Sequence, residues 1–436
     1  MKRLSVKLPQ KKLKTLFLFL FCSSLQAQDQ VFLRVERNAI NRIPLEIRLF
    51  ELNEAPEGTE VDELMKTLEN DLVSSSLIAP YLTVRGANGH SADKARIRTA
   101  LNTIVAFNGG RVLIRGEVVN RQTGRILKKE IYRGCLEKLD LLIHKYADDV
   151  VNTLTGQTGV AKSRIAFAAK SYGGVEIYVM DYDGGNLEKL TDNGSLNLTP
   201  AWRKTAAQLS FTSFQDKNPD LYTFDFPSGK TFPVLQRNAL FTSPAWSPTE
   251  QKVAFVSTYA GNAEIYVLQA RSQKITRLTY HHAIESAPAW APTGREIVFS
   301  SDRLGKPQLY IMSADGGNVR RIETGLDYND SPVWSPRGDK IAFVARQEST
   351  FDIYVYDVGT HEVISVTQNA GSNEDPCWSP DGYMLAFTST RDGQKDVYTM
   401  GWDGTDVKRL TQKGTCASPA WSPNIRLETD FDCSSK

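Results

Sequence analysis

Ser331-Pro-Val-Trp-Ser-Pro336 is one of six copies of a segment in which a proline stands two residues before a tryptophan. The six tryptophans are spaced 44 residues apart, or 43 at the last step: Trp202, Trp246, Trp290, Trp334, Trp378 and Trp421. Each unit holds four short apolar segments, which matches the four antiparallel strands of a propeller blade. The sequence therefore predicts an all-β six-bladed β-propeller.

The two ends of the repeat array complement each other. The first apolar strand, beginning at Arg164, has no Pro-x-Trp segment before it, and the last such segment, Pro419 to Trp421, has no strand after it. We therefore expect the C-terminal strand around Trp421 to complete the first blade, so that no sheet edge stays open. This places the propeller at residues 164–423 and leaves a polar tail at 424–436. A large ring at one place in every blade is interpreted as packing between neighbouring sheets, not as a platform for a ligand.

The N-terminus has the pattern of an export signal. Lysines and an arginine precede the apolar run Leu16 to Cys22, which is too short to span a bilayer, and we expect cleavage after Ala27. Removing residues 1–27 takes away six positive charges, so the formal net charge changes from +2 to +2 − 6 = −4. A mildly acidic chain offers no electrostatic footprint for nucleic acid, and no other apolar run is long enough to span a membrane. These features predict a soluble exported protein.

Residues 28–155 predict a small α+β domain, joined to the propeller by a linker at 156–163. A first helix starts near Val61 and is expected to stop at Pro80, and a second runs from Leu136 to a glycine cap at Gly156. Strands are predicted at Val31–Glu36, Leu45–Phe50, Tyr81–Val84, Leu101–Phe107, Val112–Val119 and Ile126–Tyr132. The polar residues of the second helix are interpreted as solvated surface, because no nucleophile or second motif supports a catalytic group: His144, Lys145, Asp148 and Asp149.

The cysteines and acidic turns give no sign of a metal or cofactor site. Four cysteines remain after signal removal, without a CxxC or Cys/His cluster, and their pairing stays open: Cys135, Cys377, Cys416 and Cys433. Cys377 takes a place held by small apolar residues in the other copies, so it is interpreted as a small buried residue. Asp181-Tyr-Asp-Gly184 is similar to the start of a calcium loop, but its later positions lack the ligands, which favours a hairpin.

No catalytic motif is present: the chain has no Gly-x-Ser-x-Gly elbow, His-Glu-x-x-His pair or phosphate loop. This favours a protein that is not an enzyme. The pair His281-His282 is interpreted as part of a surface loop, with a place at the channel rim as the alternative.

Strands within a blade alternate in direction, so their connections alternate between two faces of the ring. One face carries tight turns such as Ser379 to Gly382, and the other carries longer polar loops, which make it the better partner surface. We expect six polar residues to ring the channel mouth there and to bind a partner, a cation or only water: Glu285, Asn329, Asp330, Asn373, Glu374 and Asp375.

The order of these features resembles the TolB family of the Tol-Pal envelope system. The resemblance is carried by the six repeats, by Leu154-Thr-Gly156, Arg164-Ile-Ala-Phe167 and Asp181 to Gly184, and by the closing Pro419-Ala-Trp-Ser-Pro423. It implies a non-enzymatic periplasmic protein that supports outer-membrane integrity and constriction at cell division. The alternative is an exported propeller that binds a peptide or glycan, or that serves a hydrolase.

The resemblance also implies two partners and their sites. The propeller would bind the outer-membrane lipoprotein Pal through the loops before its prolines, at Thr242, Ser243, Glu285, Ser286, Asn329, Asp330, Asn373 and Glu374. The mature N-terminus would engage the inner-membrane protein TolA, at Gln28, Asp29, Gln30, Val31 and Phe32.

Overall fold

The computed structural model describes residues 42–51, 61–83, 97–347 and 349–424. The predicted signal, the strand at 31–36, the N-terminal partner residues Gln28, Asp29, Gln30, Val31 and Phe32, and the tail after Asn424 lie outside these residues. The boundaries drawn for signal, linker and tail remain predictions.

The N-terminal region is an α+β domain built on a five-stranded sheet. Its strands are β1 (Ile43–Glu51), β2 (Ile78–Thr83), β3 (Thr99–Asn108), β4 (Arg111–Asn120) and β5 (Ile126–Cys135). Their order is β2-β1-β3-β4-β5, with β1 parallel to both neighbours and the other pairs antiparallel. The helices are α1 (Val61–Ser74) and α2 (Leu139–Thr155), the latter preceded by a 3₁₀ turn at Leu136–Lys138.

Both helices bury an apolar face in the core that they share with this sheet. Helix α2 ends at Gly156 as predicted, with a left-handed φ of 71° and its N–H bonded to the Asn152 carbonyl at 2.8 Å. The predicted role of Pro80 is wrong, because α1 already ends at Ser74 and Pro80 lies within β2. A proline is tolerated there because β2 is an edge strand and one side of its backbone needs no ladder bond.

The interpretation of the polar residues of α2 as solvated surface is wrong for two of them. His144 and Asp148 are 2% and 4% exposed, because the linker and the first blade cover this side of the helix. Asp148 accepts hydrogen bonds from the N–H groups of Ala161 and Lys162 at 2.9 and 3.3 Å and so anchors the linker. Lys145 and Asp149 stay half-buried and form an ion pair of 2.7 Å.

The remainder of the described chain is a six-bladed β-propeller. Blade 1 contains β6 (Arg164–Ser171), β7 (Gly174–Asp181) and β8 (Glu188–Lys189). Blade 2 contains β9 (Asn197–Trp202), β10 (Gln208–Ser213), β11 (Asp220–Asp225) and β12 (Lys230–Leu235). Blade 3 contains β13 (Phe241–Trp246), β14 (Lys252–Ser257), β15 (Glu264–Gln269) and β16 (Lys274–Arg277). Blade 4 contains β17 (Glu285–Trp290), β18 (Glu296–Ser301), β19 (Gln308–Ser313) and β20 (Arg320–Arg321). Blade 5 contains β21 (Asn329–Trp334), β22 (Lys340–Gln347), β23 (Thr350–Asp357) and β24 (Val363–Ser365). Blade 6 contains β25 (Asn373–Trp378), β26 (Met384–Ser389), β27 (Asp396–Gly401) and β28 (Lys408–Arg409).

The last strand, β29 (Cys416–Trp421), closes the ring. It pairs antiparallel with β6, with Trp421 opposite Ile165, so it supplies the strand that blade 1 lacks. Each blade's strand nearest the axis contacts the corresponding strands of both neighbours, all the way around the ring. The pairing is the one that the two incomplete ends of the repeat predict.

The repeated tryptophans join neighbouring parts of the ring, in keeping with a packing role. Trp202, Trp290 and Trp378 each donate their indole N–H to a backbone carbonyl of the preceding blade, at 2.9, 3.0 and 3.1 Å. Trp421 differs, because its indole N–H donates to the Ser163 hydroxyl in the linker at 2.7 Å. The closing strand is therefore fastened to the start of the propeller twice, once through β6 and once through the linker.

The N-terminal domain packs on the face of the propeller that carries the tight turns, here called the turn face. Tyr182, in the turn after β7, donates a hydrogen bond to Asp71 of α1, and Arg42 pairs with Asp406 in the turn after β27 at 2.8 Å. The opposite face, here called the loop face, carries the connections that lead into each innermost strand. Among the described residues, no helix is both long enough and apolar enough to cross a membrane.

Candidate protein-binding face

The innermost strand of every blade has the same irregularity at its loop-face end. Its third residue has a left-handed φ between 47° and 54° although it is never glycine: Thr199, Ser243, Ala287, Ser331, Asp375 and Ser418. The pairing with the next strand shifts register around this residue in all six blades, which defines a β-bulge. A bulge re-aims side chains, and left-handed backbone costs a non-glycine residue roughly 1–2 kcal/mol. The second and third residues of these strands are half-buried, and together they form the channel mouth.

Three of the residues expected at the channel mouth are not exposed there. Glu285, Asn329 and Asn373 are the first residues of their strands, and each is 0% exposed. They point into the blades because the bulge begins only after them. The expectation that these three side chains ring the mouth is wrong.

The buried first residues of these innermost strands make side-chain hydrogen bonds inside the propeller. Glu285 accepts hydrogen bonds from Ser301 and Arg303 at 2.9 and 3.0 Å, although burial still raises the pKa of its carboxyl. Asn329 donates to the side chain of Gln308 at 3.1 Å, and Asn373 donates to Asp352 at 3.0 Å. These contacts join each innermost strand to its own blade or to the preceding one.

The other predicted residues do lie at the mouth, where Thr242, Ser243, Ser286, Asp330 and Glu374 are half-buried. The structure thus brings five of the eight residues to one surface. Their role in binding a partner remains a prediction.

The mouth is acidic on the side of blades 5 and 6. Glu374 pairs with Lys395 at 2.8 Å, and Asp375 lies 3.9 Å from the same ammonium group. Burial raises the pKa of Asp375, which also accepts the Ser418 N–H of blade 1 at 3.0 Å. On blade 5, Asp330 accepts a hydrogen bond from the Tyr328 hydroxyl at 3.3 Å.

The opposite side of the mouth carries hydroxyl groups. Thr199 and Thr212 are 2.9 Å apart through their hydroxyls, and Thr212 reaches Thr242 of blade 3 at 3.3 Å. A partner seated over the mouth would therefore meet carboxylates on one side and neutral hydroxyls on the other.

Beside the mouth, the loops of blades 3 and 4 expose a group of large apolar side chains, here called the rim patch. Its members are Tyr259, Tyr280, Ile284 and Leu304, which are 61%, 75%, 55% and 61% exposed. All four lie in loop-face connections, close to His281 and His282, whose rings stack at 4.2 Å. Exposed aromatic residues next to polar groups are typical of protein-binding surfaces.

None of the partner residues predicted on the propeller belongs to the rim patch, because they were chosen for polarity and not for exposed apolar area. A signal was available by comparing the repeats. Leu304 stands where blades 2 and 6 have Asp216 and Asp392, and a carboxylate replaced by leucine in an exposed loop indicates a surface that is covered at times.

No group of three or more His, Cys, Asp or Glu side chains in the described part of the chain has an arrangement that could hold a metal ion. Asp181 to Gly184 forms a hairpin turn, with the Gly184 N–H bonded to the Asp181 carbonyl at 3.0 Å. Cys135 is disulfide-bonded, whereas Cys377 and Cys416 carry free thiols. Burial raises the pKa of the Cys377 thiol to about 12, so this thiol stays protonated and unreactive.

Comparison with known proteins gives consistent matches to one family. The family model described as "TolB beta propeller domain" matches residues 151–423. The "Protein TolB homolog" of Chlorobium chlorochromatii is 34% identical over 153 residues, which are 33% of this chain and 34% of that protein. The "Tol-Pal system protein TolB" of Desulfosudis oleivorans is 31% identical over 208 residues, covering 43% of this chain and 46% of the relative. The alignments thus span about a third to a half of these relatives' lengths.

The solved structure of TolB from Acinetobacter baumannii matches with a TM-score of 0.76 at 22% identity. The match covers 88% of this chain and 98% of that one. It shows that the two share a fold across both the N-terminal domain and the propeller.

Proposed function

Because this chain belongs to the TolB beta-propeller family, we propose that it is a non-enzymatic interaction protein of the Tol-Pal envelope system. In this role it works in the periplasm, links an outer-membrane lipoprotein to inner-membrane machinery, and supports outer-membrane integrity and constriction at cell division. The names of its relatives, "Tol-Pal system protein TolB", support the membership of that system, and the finer roles rest on the family resemblance.

The loop face is the proposed site for a Pal-like lipoprotein. The observation that carries this assignment is the rim patch beside a polar channel mouth, on the face opposite the N-terminal domain. The patch supplies apolar area to bury, and Asp330, Glu374 and Ser243 supply the polar groups that fix a partner's orientation.

The proposed site for a TolA-like protein is the mature N-terminus, from Gln28 to Phe32. This assignment rests on the family resemblance alone. With this assignment the two partners bind different segments of the chain, the N-terminus and the loop face, so that both can be bound at the same time.

The test is isothermal titration of the chain lacking residues 1–27 with the soluble domain of the Pal-like lipoprotein from the same cell. We expect saturable one-to-one binding that Glu374→Gln weakens and that deletion of residues 28–32 leaves unchanged. The same deletion should abolish binding of the TolA-like protein. Absence of lipoprotein binding, together with saturable binding of a cell-wall glycan or peptide, would favour the exported ligand-binding propeller instead.

A further inference from the structure

Blade 6 contains a group of three polar side chains, Tyr398, Asp392 and Arg409, with which the equivalent residues of blade 3 can be compared. In the third strand, the hydroxyl of Tyr398 donates a hydrogen bond of 2.7 Å to the Asp392 carboxylate. Arg409 of the fourth strand lies 3.5 Å from the same carboxylate and 2.6 Å from Asp396, and its Nε donates to the Thr411 carbonyl at 2.8 Å. In blade 2 the equivalent tyrosine, Tyr222, likewise donates to a carboxylate, that of Asp216.

Blade 3 repeats this arrangement without the carboxylate. Arg277 lies 2.7 Å from Glu264, and its Nε donates to the Thr279 carbonyl at 2.7 Å, as Arg409 does in blade 6. The tyrosine, Tyr266, is in the same place, but Ala260 stands where Asp392 would be. Blade 3 therefore keeps the tyrosine and the arginine of the blade 6 arrangement, but a methyl group replaces the carboxylate that they share there.

Without this carboxylate, the hydroxyl of Tyr266 has no acceptor for its hydrogen bond. Its side chain is only 4% exposed, and among the described residues it is the one tyrosine whose hydroxyl is buried without a hydrogen-bond partner. Burial raises the pKa of Tyr266, while the charge of Arg277 and the nearby N–H of Ala260 act in the opposite direction. That N–H can only donate, so the phenol proton still has no acceptor. A buried donor without an acceptor is costly and rare in proteins.

A cavity of about 320 Å³ opens at this point on the loop face. It is lined by Phe241, Phe255, Tyr259, Tyr266 and the two arginines Arg237 and Arg277. The volume is at the lower end of the range for small-molecule sites, which runs from about 300 to 1,000 Å³. The cavity therefore combines apolar walls, an unmatched donor and two arginines, one of which, Arg277, is already paired with Glu264 at 2.7 Å.

Among the described residues, no tyrosine other than Tyr266 has a buried hydroxyl without a hydrogen-bond partner. In blade 4 the equivalent position is Leu304, but the guanidinium of Arg303 lies over the Tyr310 ring at 4.4 Å and covers it. In blade 1 the Lys413 ammonium lies over the Tyr178 ring at 4.3 Å. The guanidinium of Arg237, in contrast, makes no hydrogen bond or ion pair with the residues that the structure describes, and it lies 5.9 Å from the centre of the Tyr259 ring.

We propose that this cavity binds a carboxylate carried on a small apolar or aromatic group. The carboxylate takes the position in blade 3 that is equivalent to that of Asp392 in blade 6, where it accepts a hydrogen bond from the Tyr266 hydroxyl and faces Arg277 and Arg237. The Glu264 carboxylate borders the site and limits the added negative charge, which favours a carboxylate over a doubly charged phosphate. Either a free organic acid or the C-terminal carboxylate of a peptide supplies this chemistry. The proposal does not depend on the envelope partners.

Binding is tested by calorimetric titration of the chain lacking residues 1–27 with two pairs of probes. One pair is 3-phenylpropanoate and its amide, and the other is N-acetyl-alanyl-phenylalanine and its amide. We expect at least one acid to bind about tenfold or more tightly than its amide, since hydrogen bonds to charged groups are the stronger ones. Preference for the free acid or for the peptide acid identifies the source of the carboxylate. Equal affinity for acid and amide, or no binding of either acid at millimolar concentration, overturns the proposal.

Two matched pairs of variants locate the site. Ala260→Asp supplies the internal carboxylate that blade 6 has, so it should abolish binding of the acid, while Ser272→Asp adds the same charge to an exposed turn on the other face and should not. Tyr266→Phe removes the unmatched hydroxyl without removing the ring, so we expect a folded protein with about tenfold weaker binding. Tyr398→Phe should leave the affinity unchanged. Wild-type affinity in Ala260→Asp would show that the acid binds elsewhere.

Discussion

The hydroxyl of Tyr182 in the first blade donates a hydrogen bond to the carboxylate of Asp71 in the N-terminal domain. The other oxygen of Asp71 lies 2.8 Å from Nδ1 of His144, so one buried carboxylate joins two helices and a propeller turn. Tyr182 belongs to the Asp181 to Gly184 segment that the resemblance singled out. Its role in this structure is to hold the two domains together.

Tyr182→Phe should weaken this junction while it leaves the ring of the side chain in place. Losing a buried hydrogen bond to a charged group costs about 1.5–3 kcal/mol of unfolding free energy. Tyr182 and His144 share Asp71, so the effects of Tyr182→Phe and His144→Gln should not add in urea unfolding. Additive effects would show that the carboxylate does not couple the two contacts.

The stability of the protein should fall as the pH rises from about 7 to about 9. Burial alone lowers the pKa of His144, but the hydrogen bond and charge of Asp71, helped by Asp183 and Asp181, outweigh it and raise the pKa from 6.5 to about 9. A raised histidine pKa contributes stability that is fully present below the unfolded value of 6.5 and is lost as the pH passes the folded value. Thermal unfolding of the wild type and of His144→Gln across this range measures the effect. The difference in Tm between them should shrink with rising pH, and a constant difference would contradict the pairing.

Deleting residues 416–436 should abolish cooperative unfolding of the propeller. The deletion leaves blade 1 without its innermost strand and opens the edge of β6. Both deletions are made in the Cys135→Ser background, because Cys135 is disulfide-bonded and the deletions remove Cys433. In that background, deleting only residues 425–436 keeps β29 and should unfold like the undeleted Cys135→Ser chain, which makes it the matched control. Calorimetry distinguishes the two, and an unchanged transition after the longer deletion would mean that the ring does not need β29.

The rim patch should contribute most of the apolar energy of partner binding. Truncating exposed aromatic and aliphatic hot-spot residues typically costs 2 kcal/mol or more, so Tyr280→Ala with Ile284→Ala should weaken lipoprotein binding about thirtyfold or more. Val319→Ala is the control, because Val319 is a similarly exposed apolar residue on the turn face. Titration calorimetry of the variants with the lipoprotein measures these changes in affinity. Equal losses in the rim-patch and control variants would remove the patch from the binding site.

The repeat predicted the architecture well because a 44-residue period in tryptophan, tyrosine and short apolar runs reflects one blade packed on the next. The repeat did not predict which residues of each innermost strand direct their side chains into the channel mouth. That depends on a bulge at residues such as Ser243 and Asp375, whose left-handed backbone has no signature when the residue is not glycine. The expectation that the side chains of Glu285, Asn329 and Asn373 ring the channel mouth is wrong for this reason.

The burial of His144 could also not be predicted from the sequence. A histidine, a lysine and two aspartates on one helix have the composition of solvated surface. Only the docking of α2 against the linker and the Tyr182 turn removes part of that face from water. Contacts between domains join residues far apart in the chain, here Asp71 and Tyr182, and no local pattern marks them.

The bond between Trp421 and Ser163 has a consequence for the order of events during biogenesis. Strand β29 follows every other described propeller strand along the chain, yet blade 1, which contains the first of them, is incomplete without it. The ring therefore stays open until β29 has been made and has paired with β6. A propeller whose first blade waits for its last strand cannot complete its folding blade by blade from the N-terminus onward.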